Sequence, residues 1–329
     1  MEIIQILQYK ISGCSKSSKD KAQGKPIKNK LFKGWDISRP QTEVYILKII
    51  GGPASQLLAS RTARALGIEP VLSEFNRFPD GELYLRIAED IENERVTLIQ
   101  STPTDSDLVS LLQLIDACEG AKELNVVIPY MGYARQDKKF KPGEPISARA
   151  IARCIRADRV FTINIHEKSV LEHFPGSAEN LDAAKLVGDY IAGLNLENPL
   201  LLAPDSGAEG LVKRVSLGLG FDYDHLEKTR LSGDTVVIKT KNLDVTGRNV
   251  VLVDDMIATG GTMAGSIKML RSQGAADVYI ACVHPVLARN AALRLFNAGV
   301  KDILGTDTLE RAESRLSVAP LIADALKGL

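Results

Sequence analysis

From about residue 44 onward the chain alternates between two rhythms. Short β-branched and aliphatic runs, such as Val96-Thr97-Leu98-Ile99 and Val250-Val251-Leu252-Val253, are followed by longer stretches with apolar positions every three or four residues. The first rhythm suits strands buried on both faces and the second suits amphipathic helices, so their alternation predicts βαβ units around parallel sheets. Strands are expected at Val44–Ile50, Val71–Phe75, Leu83–Ile87, Val96–Gln100, Leu124–Ile128, Arg159–Ile163, Leu200–Ala203, Val250–Asp254, Asp277–Val283 and Lys301–Leu304. Helices are expected at Ser55–Leu66, Asp107–Glu119, Ser147–Arg156, Asp182–Leu194, Gly207–Leu217, Gly261–Gln273 and Asn290–Asn297. Gly67, Gly120 and Gly274 each follow one of these helices directly, where a left-handed cap is wanted.

The pattern also repeats. Shifted by 154 positions, Val96–Ile99 falls on Val250–Val253, Gly120-Ala121 on Gly274-Ala275, Asn125–Pro129 on Tyr279–Val283 and Ala134-Arg135 on Ala288-Arg289, without a gap. A period this long exceeds the 20–50 residues of solenoids and predicts two tandem copies of one α/β domain. The expected division is 44–190 and 191–329. Ahead of them, residues 1–43 read as a flexible, disordered extension, because Lys10–Lys33 is rich in Lys and Ser and has little apolar periodicity. Its opening residues are too short and polar for a secretory signal, and the segment has too few Arg for a transit peptide.

Composition narrows the function. Lys and Arg total 41, as do Asp and Glu, so the formal charge is zero and the chain is not a nucleic-acid binder working through bulk charge. Any phosphate chemistry must be local. No apolar run approaches the roughly 18 residues of a membrane span. The four cysteines at 14, 118, 154 and 282 are scattered and lack CxxC spacing, which fits a reducing, cytoplasmic setting.

The segment richest in chemistry is Val250–Thr262, a buried-type strand that delivers Asp254 and Asp255 and then Ala258-Thr259-Gly260-Gly261-Thr262 into a helix. Glycines let the backbone approach a ligand, the helix N-terminus attracts an anion, and the Thr hydroxyls add donors, so this turn is expected to hold a phosphate monoester. The paired acids just upstream would face the vicinal hydroxyls of an attached pentose. The segment resembles the 5-phosphoribosyl 1-pyrophosphate motif of type I phosphoribosyltransferases and of ribose-phosphate pyrophosphokinases. By itself the motif does not choose between making and consuming the activated sugar.

Three further segments favour the pyrophosphokinases. No G-x-x-x-x-G-K-[ST] nucleotide loop is present. Asn76-Arg77-Phe78-Pro79-Asp80-Gly81-Glu82 reads as a hairpin tip between two strands, and it is similar to that family's adenine loop. The resemblance implies that Phe78 stacks on the base while Asp80, Gly81 and Glu82 meet its edge, often across a subunit contact, hence a homo-oligomer of at least two chains. Tyr133-Ala134-Arg135-Gln136-Asp137, with Gly143-Glu144-Pro145-Ile146-Ser147, is similar to a second ATP-binding stretch, implying nucleotide contacts for Arg135, Gln136 and Asp137. Leu226–Asp234 resembles the flexible catalytic loop, and by that likeness Lys228 and Arg230, two apart and on one side of an extended chain, stabilise charge on the transferring phosphoryl oxygens.

His166 and Asp205 each follow a predicted strand, and the resemblance makes them contacts for Mg²⁺. Asn164 stands where the family commonly has Asp, which removes a charge that would orient His166 or a metal-bound water. The implied substrates are ATP and ribose 5-phosphate, with Mg²⁺ as cofactor. Two rivals stay open at this stage: a phosphoribosyltransferase, and a non-catalytic homologue that associates with an active enzyme.

Overall fold

The computed structural model describes the backbone of residues 47–232, 235–240 and 244–329, and their side chains except those of 227–232 and 235–240. The extension at 1–43 therefore lies outside the described residues. The first half opens with β1 (Leu47–Gly51), α1 (Gln56–Leu66) and the short β2 (Pro70–Val71). An antiparallel ribbon of β3 (Ser73–Arg77) and β4 (Leu83–Ile87) follows. Then come β5 (Arg95–Ile99), α2 (Asp105–Asp116), β6 (Glu123–Ile128), α3 (Ser147–Ala152), β7 (Arg159–Ile163) and β8 (Ser177–Leu181). Apart from the ribbon, these strands form one six-stranded sheet in the order β2-β1-β5-β6-β7-β8, parallel throughout.

The second half contains α4 (Ala184–Gly193), β9 (Pro199–Ala203), α5 (Glu209–Ser216), β10 (Asp222–Ser232), β11 (Thr235–Thr240) and β12 (Asn249–Met256). It continues with α6 (Gly261–Ser272), β13 (Asp277–His284), α7 (Ala291–Asn297), β14 (Ile303–Thr306), β15 (Ser314–Leu316) and α8 (Ala319–Lys327). Its seven-stranded sheet runs β11-β10-β9-β12-β13-β14-β15, with only the β10–β11 pairing antiparallel. Without β11, its strand order repeats that of the first sheet strand for strand. Strands β5 and β12 begin 154 residues apart, as do β6 and β13. Tyr133 (φ 64°) and Leu287 (φ 47°), also 154 apart, share a left-handed backbone in the loops that follow. The internal repeat is thus structural, and the two tandem α/β domains expected from the sequence are present.

Strands β5, β6 and β12 are apolar on both faces because helices cover both. One face of the first sheet packs Val96, Leu98, Val126 and Ile128 against Leu111 and Leu114 of α2. The other packs Ile49, Ile99, Val127 and Ile163 against Leu58 and Ala59 of α1, and also against Ile322 and Leu326 of α8. The last helix, which the sequence reading did not anticipate, therefore completes the core of the first half. Helix α4 packs within its own half, placing Val187 and Ile191 among Leu201, Val212 and Val251.

Helix ends follow local chemistry. Helix α2 starts two residues earlier than expected because Thr104 and Asp107 form a reciprocal capping box, each side chain accepting from the other's backbone N–H at 3.2 Å. Gly67 (φ 74°) caps α1 in the left-handed conformation, and Gly274 (φ 90°) adopts it just after α6. Gly120 does not, which corrects the expectation. Helix α2 has already ended at Asp116, and a Cβ on Gly120 would collide with the Glu92 carboxylate.

The loop after β14 ties the two halves together. Ser55 gives α1 no side-chain cap, and its hydroxyl instead accepts from Ser101 N–H at 2.9 Å. The missing acceptor comes from the other half, where Glu310 Oε1 receives Leu58 N–H at 2.9 Å. Nearby, Arg61 donates to the fully buried Asp307 at 2.5 Å, and Ser101 Oγ donates to the Thr308 carbonyl at 2.6 Å. His284 is buried between Thr308 Oγ1 at 2.9 Å and the Asn164 carbonyl at 3.4 Å. Burial pushes its imidazole down to about 4, so it stays neutral. No helix among the described residues is long and apolar enough to cross a membrane.

Candidate active site

An open cleft of about 730 Å³ lies where the carboxyl ends of β7, β9 and β12 meet, and both halves line it. Strand β12 runs buried to Val253 and then delivers Asp254 and Asp255. The chain turns through Ala258 and Thr259 to Gly260, whose φ of +69° is one L side chains rarely adopt, and α6 begins at Gly261. A Cβ on Gly260 would also press on Leu295 Cγ at 3.2 Å. Arg294 Nη1 donates to the Thr259 carbonyl at 2.8 Å and pins the turn from behind. The first N–H groups of α6 have no helical acceptors. With Thr259 and Thr262 they give this end of the cleft donors able to meet an anion.

The first half contributes His166, which follows β7, and Arg135. His166 Nδ1 lies 2.8 Å from Asp255 Oδ2, so one hydrogen bond joins the loops of the two repeats across the cleft. Asp205 follows β9. Its carboxylate accepts Gly207 N–H at 3.1 Å and starts a short 3₁₀ turn into α5.

The paired acids hold different charges. Burial, reinforced by the neighbouring Asp255, pushes the Asp254 carboxyl up to about 8. Burial pushes Asp255 up as well, but the hydrogen bond and charge of His166 outweigh it and hold Asp255 below the usual carboxylate range. The same hydrogen bond raises the His166 imidazole. Asp254 thus keeps its proton near neutrality while Asp255 is ionised beside His166. A carboxyl whose folded pKa is raised contributes stability that is complete below its unfolded value near 3.9 and lost as pH climbs through about 8. Asp254→Asn mimics the protonated acid, so the ligand-free variant should outlast the parent thermally by a margin that widens from pH 4 to pH 8. Melting curves across that range check it, and a pH-independent difference would contradict the assignment.

Other predicted residues lie elsewhere. Phe78, Asp80, Gly81 and Glu82 form the exposed tip of the β3–β4 ribbon and do not line this cleft. Gly81 (φ 96°) and the Phe78 N–H to Glu82 carbonyl bond of 2.9 Å close the tip, and Phe78 meets Tyr84 edge-on at 5.8 Å. Gln136 Oε1 accepts from Ser147 Oγ at 2.5 Å, tying its loop to the start of α3. Gln136 and Asp137 do not line the cleft either. The segment expected as a flexible loop is a strand, in which Lys228 pairs with Ile238 and Arg230 with Val236 of β11. The side chains of Lys228 and Arg230 lie outside the described ones.

Asn164 resolves differently from its sequence expectation. It is buried at the end of β7 with φ 40°, a conformation Asn tolerates better than most residues. Its amide donates to Asp182 Oδ1 at 2.9 Å and accepts Ala183 N–H at 2.8 Å, so it orients Asp182 and makes no hydrogen bond to His166. Arg214 of α5 also lines the cleft, a residue the sequence reading missed because no motif surrounds it. Among the described residues, no three His, Cys, Asp or Glu side chains converge as a ready-made metal cage. Asp205, with Asp254 and Asp255 nearby, offers oxygen donors suited to a hard divalent cation that takes its remaining ligands from phosphates and water.

Comparison with known proteins gives this geometry a lineage. Residues 47–158 match the model of the N-terminal domain of ribose phosphate pyrophosphokinase, and residues 176–308 match that of the phosphoribosyl transferase domain. A ribose-phosphate pyrophosphokinase of Methanosarcina mazei is 85% identical over 287 residues, covering 87% of this chain and 97% of its own. Ribose-phosphate pyrophosphokinase 2 of Archaeoglobus fulgidus is 48% identical over 280 residues, 84% of this chain and 99% of its own. The crystal structure of phosphoribosylpyrophosphate synthetase from Mycobacterium smegmatis superposes with a TM-score of 0.76 at 32% identity, covering 86% of this chain and 98% of that one. Because these similarities run through both repeats and the cleft between them, rather than through the sugar-phosphate motif alone, the chain belongs to the ribose-phosphate pyrophosphokinase family.

Proposed function

We propose that this cleft transfers the β,γ-pyrophosphoryl group of Mg–ATP to the anomeric hydroxyl of ribose 5-phosphate, giving AMP and 5-phosphoribosyl 1-pyrophosphate. The observation that carries the reading is the His166–Asp255 hydrogen bond, which joins the carboxyl-end loops of both repeats in one cleft. With loops from both repeats, the cleft has one side for a sugar phosphate and another for a nucleotide.

In this reading the Ala258–Thr262 turn takes the 5-phosphate, and Asp254 and Asp255 take the ring hydroxyls. Arg135, with Gln136 and Asp137 behind it, takes the nucleotide. Phe78, Asp80, Gly81 and Glu82 stand at an exposed hairpin tip away from this cleft, which suits stacking on adenine bound by a second copy in a homo-oligomer. Lys228 and Arg230 meet the transferring oxygens. Asp205 and His166 would hold Mg²⁺, which supplies neutralisation of phosphate charge when bound. The anomeric oxygen attacks the β-phosphorus and gives up its proton to solvent, while the bond from the β-phosphorus to the bridging oxygen breaks and that oxygen leaves with AMP, so the protein's work is in-line positioning and charge stabilisation. The expected division at 190/191 falls inside α4 (Ala184–Gly193), which packs with the second half, so the boundary belongs ahead of Ala184; the soluble substrates suit a cytoplasmic setting.

The test is direct. Purified protein incubated with Mg–ATP and ribose 5-phosphate should yield AMP and an anomeric diphosphate, seen as a new doublet pair by ³¹P NMR. Absence of AMP with every divalent metal tried would defeat the reading.

A further inference from the structure

The cleft contains a cation that neither the sugar-phosphate motif nor the ATP-loop resemblance includes. Arg214 sits in α5, just beyond the Asp205 turn, and lines the cleft together with Gly207 and Gly210. It is held from behind. Its Nε donates to Asp182 Oδ2 at 2.6 Å, and its Nη1 donates to the Gly210 carbonyl at 2.9 Å. Asp182 is itself fixed, since its Oδ1 accepts from Asn164 Nδ2 at 2.9 Å and from Ala184 N–H at 3.0 Å. Asn164 is in turn held by Ala183 N–H at 2.8 Å and by its own N–H to the Leu181 carbonyl at 2.9 Å. A buried amide in the first half thus orients, through one carboxylate, a guanidinium on the second half's wall of the cleft.

These two hydrogen bonds leave the remaining guanidinium N–H groups for a ligand. The planar fork suits two oxygens of a phosphoryl group, and prior fixation means little side-chain freedom is lost on binding. The corner at Thr259–Thr262 already has donors for a sugar phosphate, whereas Arg214 lines the same cleft from α5, the helix that follows the Asp205 turn. We infer that Arg214 is a binding residue for the transferred pyrophosphoryl group, and that Asn164 and Asp182 are positioning residues acting through it. The inference rests on the reaction proposed above, whose β- and γ-phosphates it assigns to this arginine. It also gives Asn164 a purpose. A carboxylate there would lose the donor to Asp182 and set two acids side by side.

The test compares the parent with Arg214→Gln, Arg214→Lys, Asn164→Asp and the double variant Asn164→Asp/Arg214→Gln. Arg214→Gln should raise the KM for ATP, and the Kd for α,β-methylene ATP by calorimetry, about tenfold, as loss of a charge-assisted hydrogen-bonded contact does. The KM for ribose 5-phosphate should move less than about twofold. Arg214→Lys should restore only part of the affinity, because an ammonium cannot make the two-pronged contact. Asn164→Asp should raise the ATP KM in the same sense, and the double variant should be no worse than Arg214→Gln alone. An unchanged ATP KM in Arg214→Gln, or fully additive losses in the double variant, would overturn the inference while leaving the reaction standing. A parent that forms no AMP would instead overturn the reaction. In that case calorimetry with α,β-methylene ATP still decides, since equal binding by parent and Arg214→Gln removes the arginine's role.

Discussion

Lys228→Ala is expected to lower kcat by about a thousandfold with little change in the KM for ATP, the size of loss seen when a donor that meets only the developing phosphoryl charge is removed. The expectation joins two observations. Strand β10 carries Lys228 and Arg230 beyond its pairing with β9, which ends at His225, into a two-stranded ribbon with β11. In that ribbon the two are two positions apart on an extended backbone, Lys228 opposite Ile238 and Arg230 opposite Val236. An interaction made in the transition state alone lowers kcat and kcat/KM together, whereas a ground-state contact raises KM. Steady-state kinetics with both substrates separates these outcomes. A kcat within a few-fold of the parent's would remove Lys228 from the chemistry and leave Arg230 as the one remaining cation assigned to it.

The second large effect concerns stability. Asp307 is fully buried between the halves, where Oδ2 accepts from Arg61 Nη1 at 2.5 Å and Oδ1 accepts Val318 N–H at 2.8 Å. Asp307→Ala strands the buried Val318 N–H and frees an arginine that is half exposed and can rehydrate. A cost of about 3 kcal/mol is expected, mostly from the orphaned backbone donor. For a chain of this size that lowers Tm by about 4–5 °C. Asp307→Asn keeps an acceptor for Val318 and should fall between parent and Ala. Differential scanning calorimetry with all three proteins checks the order, and equal Tm values would show that the junction adds nothing.

What could be read in advance was local. The Asp254–Thr262 segment announces itself because strand, paired acids, glycine turn and helix start are contiguous, and each has one conformational use. The repeat was legible because β5, α2 and β6 recur as β12, α6 and β13 with little change in spacing. Gly120 was misread because two pressures select glycine, left-handed backbone and close approach, and sequence cannot separate them; here the Glu92 carboxylate occupies the space of a Cβ. Helix α8 carried its apolar spacing openly, at Ala319, Ile322, Ala323 and Leu326, but nothing near it in sequence reveals that its partner is α1, more than two hundred residues upstream. Asn164, Asp182 and Arg214 meet across 18 and 32 positions with no motif around them, so only the folded chain brings them together.

The crossing of α8 bears on how the molecule is made. During synthesis a multidomain chain ordinarily completes its first domain while the second is still emerging. Here Ile49, Leu58 and Ile99 are translated more than two hundred residues before Ile322 and Leu326, which cover them. Until then the first sheet presents an open apolar face. While those two hundred and more residues are added, that face is available to chaperones or to a neighbouring nascent copy.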